Sequence, residues 1–391
     1  MNDKNKPVVA HLIHRYLFLT GSWIYQQLIH HSNFQPIVLT PIVENLDVFP
    51  FQPIHSFRPY FYGSQLWRVA LRKLAEGVTG RVQRQYVACL RQENARLLHA
   101  HFGTEGYYRL GMKKTSNLPM VTTFYGWDMS LLPKKHRYWR RRYMRLFAEG
   151  EMFLLEGSHM AQRLIDLGCP SGKVRVHRLG VDLEKIDFIP RVLAPGEPVR
   201  VLMAASVQEK KGTRYAVEAF ARACQRLPNL QLTLIGGART REELAILADC
   251  QEIVRRENVS DKVRFLGYVP YPEYLSEMRR AHLFLAPSVT ARNGDTEGGA
   301  PVASIEASAG GMPVLSTFHC DIPEVVLNGV SGLLVPERDV DALTKALLEI
   351  ASSPEVWTAF GRAGREHIER EYNIKLQMRK QEELYSELMQ G

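Results

Sequence analysis

The amino-acid sequence predicts an α/β protein built as two doubly wound domains, and three observations carry that prediction. Short β-branched or aliphatic runs alternate with longer amphipathic stretches along nearly the whole chain, the pattern of parallel strands covered by helices on both faces. A stretch with three prolines and a glycine, Phe188-Ile-Pro-Arg-Val-Leu-Ala-Pro-Gly-Glu-Pro198, interrupts all periodicity midway. The length, 391 residues, suits about two domains of ordinary size.

In chain order, the first half offers strands at Val8–Ile13, Pro36–Thr40, Leu97–His101, Met120–Phe124, Met152–Leu155 and Val174–His177. The second half offers Val199–Ala204, Gln231–Ile235, Val263–Phe265, Leu283–Ala286, Val314–Ser316 and Leu333–Val335. Helical patterns lie between them, among them Tyr215–Arg226, Arg241–Glu257 and Val340–Ala351. The expected domains are therefore residues 1–190 and 198–372, with a C-terminal helix over 373–391 packing back on the first. Two such domains would hold a ligand in a cleft between them, at the carboxyl ends of their strands.

Composition narrows the class. Hydrophobic content of 45% with 9% aromatics is globular. The most apolar early run, Pro7 to Ile13, is broken by His14 and Arg15; it is too short to span a membrane and lacks signal-peptide flanks, so an intracellular location is expected. The five cysteines are odd in number, widely separated and without a C-x-x-C pair, which suggests neither zinc nor a disulfide framework.

Charge is uneven. Residues 1–190 hold 26 Lys+Arg against 14 Asp+Glu, a net +12, and the remainder is −3. The excess is densest over 134–145, with seven basic residues in twelve and Tyr138, Trp139 and Tyr143 interleaved. That composition fits an anionic lipid surface, with aromatic rings at the membrane interface. A nucleic-acid backbone and a merely solvated helix face are the competing readings.

The segment Glu297-Gly-Gly-Ala-Pro-Val-Ala-Ser-Ile-Glu306 is the most informative in the chain. Pro301 suits a first helical position, and the free N–H groups of that turn, with the helix dipole, favour an anion above Gly298 and Gly299. Glu306, a turn inside the helix, can face the same crevice and bind hydroxyls. A nucleoside diphosphate-sugar satisfies every part of this arrangement; a capped helix with two solvated acids is the plainer alternative. Lys210 and Lys211 lie on a loop between a strand and a helix entrance, an ordinary phosphate site. Gly21 follows the first strand in a similar place. His99 and His101 alternate on a strand and so point the same way; metal binding would need a third ligand that the sequence does not advertise. Asp128, in Thr122-Thr-Phe-Tyr-Gly-Trp-Asp128, can order its loop by an Asx-type bond.

With these residues assembled, the chain resembles the retaining glycosyltransferases of family 4. The resemblance is carried by Lys-Lys-Gly212, Phe265-Leu-Gly267, Ala286-Pro-Ser288, the two-glutamate segment, Gly311-Met-Pro-Val314 and Ile322-Pro-Glu-Val, and more loosely by His99-Ala-His-Phe102 and Phe-Tyr-Gly-Trp-Asp128. It implies a GT-B fold of two facing Rossmann-like domains and transfer of a hexose, with retention, from a UDP- or GDP-sugar to a hydroxyl acceptor in surface polysaccharide or glycolipid assembly. By that resemblance Lys211 neutralises the donor diphosphate, Glu306 binds ribose, and Glu297 with the N–H groups of Gly298, Gly299 and Ala300 holds the sugar. Gly21, Ser206 and the backbone at Val269 complete the donor site, Tyr125 and Asp128 join Glu297 in catalysis, and neither metal nor other cofactor is implied. With the basic segment 134–145, this yields an expected peripheral association with the cytoplasmic face of the membrane, a lipid-linked acceptor and no nucleic-acid partner. Three departures stand out. Eight residues, not the family's seven, separate the glutamates, so either the loop bulges at Gly298-Gly299 or Gly298 displaces Glu297. Ser206 replaces an arginine, and Tyr125 replaces a histidine. The alternative function is a nucleotide-sugar-binding protein with impaired catalysis. Glycoside hydrolysis by Glu297 and Glu306 fits poorly, with one acid in a loop and the other in a helix.

Overall fold

The computed structural model describes residues 6–57 and 71–390 and divides into two compact units. Unit 1 comprises 1–155, 161–180 and 374–391; unit 2 comprises 156–160 and 181–373. The chain thus passes between units after Gly180 and not within the proline-rich 188–198 stretch. That stretch is bound into unit 2 by Arg191, whose buried guanidinium donates to the carbonyls of Met278, Arg279, Ala281 and Gly310 at 2.7–3.1 Å. Broken periodicity marked an irregular segment held by a buried cation, not a linker.

Unit 1 is built on β1 (Val8–Leu12), β2 (Arg15–Tyr16), β3 (Gln35–Leu39), β4 (Ile42–Val43), β5 (Ile54–His55), β6 (Ala95–His101), β7 (Met120–Thr123), β8 (Met152–Leu155) and β9 (Val174–Val176). Seven of these form one sheet in the order β5-β3-β1-β6-β7-β8-β9, every pair parallel; β2 and β4 form a small separate pair. The strands are buried along most of their length, as parallel strands between helical layers must be. The helices are α1 (Ser22–Ile29), α2 (Leu71–Gln92), α3 (Gly103–Ser116), α4 (Gly126–Ser130), α5 (Leu132–Lys135), α6 (Tyr138–Glu149) and α7 (Ser158–Asp166), which crosses the unit boundary. The C-terminal helix, Ile374–Gln390, belongs to this unit; its Tyr385 packs with Val9, Leu97, Val121 and Leu154.

Unit 2 contains β10 (Val199–Ala204), β11 (Leu230–Ile235), β12 (Val263–Gly267), β13 (Leu283–Ala286), β14 (Val314–Thr317) and β15 (Gly332–Val335), all parallel in the order β12-β11-β10-β13-β14-β15. Its helices are α8 (Thr213–Cys224), α9 (Arg241–Arg256), α10 (Tyr271–Arg280), α11 (Val302–Ala309), α12 (Ile322–Val325), α13 (Val340–Ala351) and α14 (Trp357–Glu371), so the C-terminal helix above is α15. Local chemistry sets their ends: Thr240 and Glu243 form a reciprocal capping box on α9, and Asp339 caps α13 by accepting from Ala342 N–H at 2.8 Å. Ala216, Val217, Phe220 and Ala223 of α8 pack on the sheet with Leu232, Leu285 and fully buried Trp357. In each sheet the chain runs outward from a central strand and then returns to its other side, between β1 and β6 in unit 1 and between β10 and β13 in unit 2. Ligands of doubly wound sheets bind at the carboxyl ends flanking such a switch point.

Candidate functional site

In unit 2 two loops leave the switch point. After β10 the chain makes one tight turn over Glu209–Lys211, and Gly212 at φ 70° opens α8. A side chain at Gly212 would place Cβ 1.8 Å from the Pro287 carbonyl oxygen, so only glycine lets the lysine loop seat against the loop after β13. That seating brings Lys211 Nζ 2.6 Å from Glu297 Oε2, while Ser288 donates to Glu297 Oε1 at 2.9 Å. Lys210 pairs with Asp295 at 3.2 Å and donates to the Thr296 carbonyl. Burial pulls the Glu297 carboxyl upward, but the ammonium groups of Lys211 and Lys210 outweigh it and hold the group below the usual carboxylate range.

Glu297 is thus held between Lys211 and Ser288, and Gly298 follows it at φ 83°. Pro301 is the N-cap of α11, not its first helical residue: its carbonyl accepts from Ser304 N–H at 2.9 Å. Ala300 is buried in a core cluster with Ile305. Glu306, in α11, accepts from the Tyr271 hydroxyl at 3.0 Å; burial raises its carboxyl to about 7, against the lowering effect of that phenol. Ser206 accepts from Gln208 N–H through its carbonyl at 2.8 Å. Val269 turns its side chain into a core cluster.

Three supporting residues were not singled out from sequence. His319 accepts the Glu297 N–H at Nε2 (3.2 Å), which assigns its proton to Nδ1, and Nδ1 lies 2.6 Å from Glu337; Glu337 in turn accepts Thr290 N–H at 2.7 Å. The position of His319 just beyond the carboxyl end of β14 was the available signal. Tyr271, at the start of α10, offered none.

In unit 1, Gly21 caps α1 and donates its N–H to Phe18 O at 2.7 Å. Asp128 is fully buried and both oxygens are engaged by main chain, one accepting Gly103 N–H (2.7 Å) and the other Tyr125 N–H (2.9 Å). Burial raises its carboxyl to about 7, and those same N–H groups oppose the rise. Asp128 thereby clasps the chain after β6 to the chain after β7. Tyr125 is buried, and its hydroxyl lies 2.9 Å from His101 Nδ1. His99 and His101 do point the same way, their rings 4.3 Å apart, and the third imidazole that the sequence did not advertise is His11, opposite His99 in the β1–β6 register. Unit 1 also holds a cavity of about 270 Å³, walled by Pro41, Phe57, Tyr86 and Tyr108 with Glu105 and Arg109 paired at 3.0 Å.

The basic segment needs correcting. Trp139 and Tyr143 are core residues and do not present rings to an interface; Tyr138 alone of the three is exposed. Their spacing with Leu146 and Phe147 makes the buried stripe of α6. Arg142 is stacked over Tyr107, Tyr138 and Trp139, with its guanidinium carbon 4.6–5.2 Å from the ring centres. Lys134, Lys135, Arg137, Arg140 and Arg141 remain exposed. Among the described residues, no helix is long and apolar enough to cross a membrane.

Comparison with known proteins agrees with the geometry. Residues 33–185 match the family model described as Glycosyltransferase Family 4, and residues 185–367 the one described as Glycosyl transferases group 1. The chain is 33% identical to the amylovoran biosynthesis glycosyltransferase AmsK of Erwinia amylovora, over 74% of this chain and 69% of that protein. It is 34% identical to WcaL of Escherichia coli, named for colanic acid biosynthesis, over 70% of this chain and 66% of that one. Among solved structures, Anabaena HepE in complex with UDP and glucose shares the fold with TM-score 0.77 at 15% identity, covering 97% of this chain and 100% of that one. Sucrose-phosphate synthase from Thermosynechococcus elongatus does so with TM-score 0.75 at 19% identity, over 98% and 99%. Two parallel α/β domains, two family models matched in succession and a relative at 33% identity show that the chain belongs to glycosyltransferase family 4 and has the GT-B fold.

Proposed function

We propose that the chain transfers a hexose, with retention of anomeric configuration, from a UDP- or GDP-sugar to a hydroxyl of a lipid-linked acceptor in exopolysaccharide assembly. The observation that carries this reading is the Lys211–Glu297 pair at the switch point of a parallel sheet, where nucleotides dock on such folds. Lys211 meets the donor diphosphate; the N–H groups of Gly298, Gly299 and Ala300 add fixed partial charge; Glu297, released from the lysine, turns to the sugar; Glu306 takes ribose hydroxyls. Charge on the leaving diphosphate is then met by lysine, amides and the α11 dipole, with no metal required. The aromatic-walled cavity of unit 1 suits a sugar-bearing acceptor, and the names of AmsK and WcaL support an exopolysaccharide product. The exposed cations of 134–141 favour anionic headgroups at the cytoplasmic membrane face. A nucleotide-sugar-binding protein without turnover is favoured by one observation, Ser206 in the place of an arginine, which leaves the diphosphate with less charge to meet it.

A thermal-shift series with UDP-, GDP-, ADP- and dTDP-sugars tests the donor reading. One series at 100 times Kd should add about 2.7 kcal/mol of stability. No shift with any of them contradicts it.

A further inference from the structure

Five side chains of unit 1 form an unbroken chain of hydrogen bonds. Glu382 Oε1 lies 3.2 Å from His31 Nδ1, His31 Nε2 lies 3.2 Å from His11 Nε2, His11 Nδ1 lies 2.9 Å from His101 Nε2, and His101 Nδ1 lies 2.9 Å from the Tyr125 hydroxyl. Heavy-atom positions leave the direction of such a chain open, because a neutral imidazole can carry its proton on either nitrogen. The Glu382 end removes that freedom. The same Oε1 accepts the main-chain N–H of Ser32 (2.7 Å) and of Asn33 (2.9 Å), and Oε2 accepts the Asn33 side-chain amide (2.9 Å). A main-chain N–H can only donate, so Oε1 is an acceptor and His31 must donate to it from Nδ1. Neutral His31 then accepts at Nε2. His11 consequently donates from Nε2 and accepts at Nδ1, and His101 donates from Nε2 and accepts at Nδ1. The last donor is Tyr125, whose single hydroxyl proton goes to His101.

The imidazoles stay neutral for a physical reason. Burial pushes His11 and His101 well below the usual histidine range, helped by neighbouring imidazoles, and pushes His31 down although Glu382 pulls the other way. His99, packed against His11 and His101, is likewise pushed well down by burial, and its nitrogens meet the hydroxyls of Tyr385 and Thr123. Among the described residues His11, His99 and His101 could also gather around a cation. Both His99 nitrogens already face hydroxyls, however, and no carboxylate belongs to that trio to offset the charge.

We propose that Glu382, acting through His31, His11 and His101, holds the hydroxyl proton of Tyr125 inward, so that Tyr125 meets a bound sugar only as a hydrogen-bond acceptor. The inference rests on the reading of Tyr125 as a residue that faces substrate. Glu382, His31, His11 and His101 are positioning residues, and the selected ligand chemistry is a sugar hydroxyl that donates. Tyr125 thereby differs from an imidazole with a free N–H at the same place, which could donate to the sugar.

Two-bond proton–nitrogen correlation spectra of the full chain labelled with ¹⁵N-histidine, at pH 7.5, test this without any substrate. The expected pattern is the Nδ1–H form for His31 and the Nε2–H form for His11 and His101. Removing either end separates control from consequence. Tyr125→Phe should leave all three patterns in place, whereas Glu382→Ala should scramble the forms of His11 and His101, remote from the change. The Nδ1–H form at His101 in the wild type, an imidazolium at any of the three, or stoichiometric metal in the purified protein overturns the proposal. Turnover with UDP-hexose is a separate arm, in which Tyr125→Phe should lower kcat about tenfold in a folded protein. Absence of transfer by the wild type removes the enzymatic reading and leaves the tautomer result to decide the chain's direction.

Discussion

Lys211 Nζ sits 2.6 Å from Glu297 Oε2, across two loops that leave neighbouring strands β10 and β13. Without a donor, the lysine that would meet a diphosphate is neutralised by the acid that would meet the sugar. On the proposed reading, diphosphate binding would compete for Lys211 and free Glu297 in the same event, coupling arrival of the phosphate to delivery of the carboxylate.

Lys211→Ala should weaken nucleoside diphosphate binding roughly 10- to 150-fold, the worth of about 1.5–3 kcal/mol for a charge-assisted contact. Because the substitution also strands a buried carboxylate, it should lower stability by about 1–3 kcal/mol, and Lys211→Ala with Glu297→Gln should recover most of that loss. Calorimetric titration with UDP and GDP, beside urea unfolding, measures both. Unchanged affinity in a folded variant removes Lys211 from the site.

Glu306 should give the protein a pH dependence of definite sign. Its carboxyl, normally near 4.5, is raised to about 7 by burial, so the folded state holds a proton that the unfolded state releases. Its stabilising share is complete below about pH 4.5 and is lost as pH rises through 7, with an upper bound of about 3 kcal/mol, reduced by the solvent reaching its partly exposed edge. Glu306→Gln should flatten stability between pH 5 and 8 relative to wild type. It should also raise the donor KM more than it lowers kcat, since ribose contacts persist from ground state to transition state. Identical pH profiles for the two proteins contradict this account.

Asp128→Asn should destabilise by about 1–3 kcal/mol, because one of two main-chain donors would face an amide N–H. Turnover per folded molecule should then change far less than stability. A loss of kcat beyond a hundredfold in a stably folded variant would instead make Asp128 a direct participant.

Membrane association should depend on Arg137, Arg140 and Arg141, which are exposed, and not on the stacked Arg142. Three charges at about 1 kcal/mol each predict a loss on the order of 100-fold in affinity for anionic vesicles when all three become glutamine. Co-sedimentation should also fade as salt rises. Arg142→Ala should lower thermal stability with little effect on vesicle binding. A wild type that ignores phosphatidylserine vesicles at low salt indicates a soluble acceptor.

The parallel sheets were legible because burial on both faces writes an apolar run wherever a strand lies; Val199–Ala204 and Leu283–Ala286 coincide with β10 and β13. The two-residue strands β2, β4 and β5 were not, being too short to show periodicity. Lys211, Glu297 and Glu306 stood out because glycine, proline and charge cluster within a few positions. His31 and Glu382 could not, since 351 positions separate partners that meet only through folding. Trp139 and Tyr143 were misplaced because composition was weighed over spacing: with Leu146 and Phe147 they recur at helical intervals, which marks a buried stripe.

Retaining transfer from a nucleotide-sugar leaves a signature at the anomeric carbon. Proton NMR of the reaction between UDP-, GDP-, ADP- or dTDP-α-hexose and a polyprenyl-diphosphate-linked oligosaccharide tests it most directly. One donor should lose its anomeric signal as an α-linked product and the free nucleoside diphosphate appear together, and Lys211→Ala should slow both. A β-linked product, or no consumption of any donor by the folded wild type, would contradict the account.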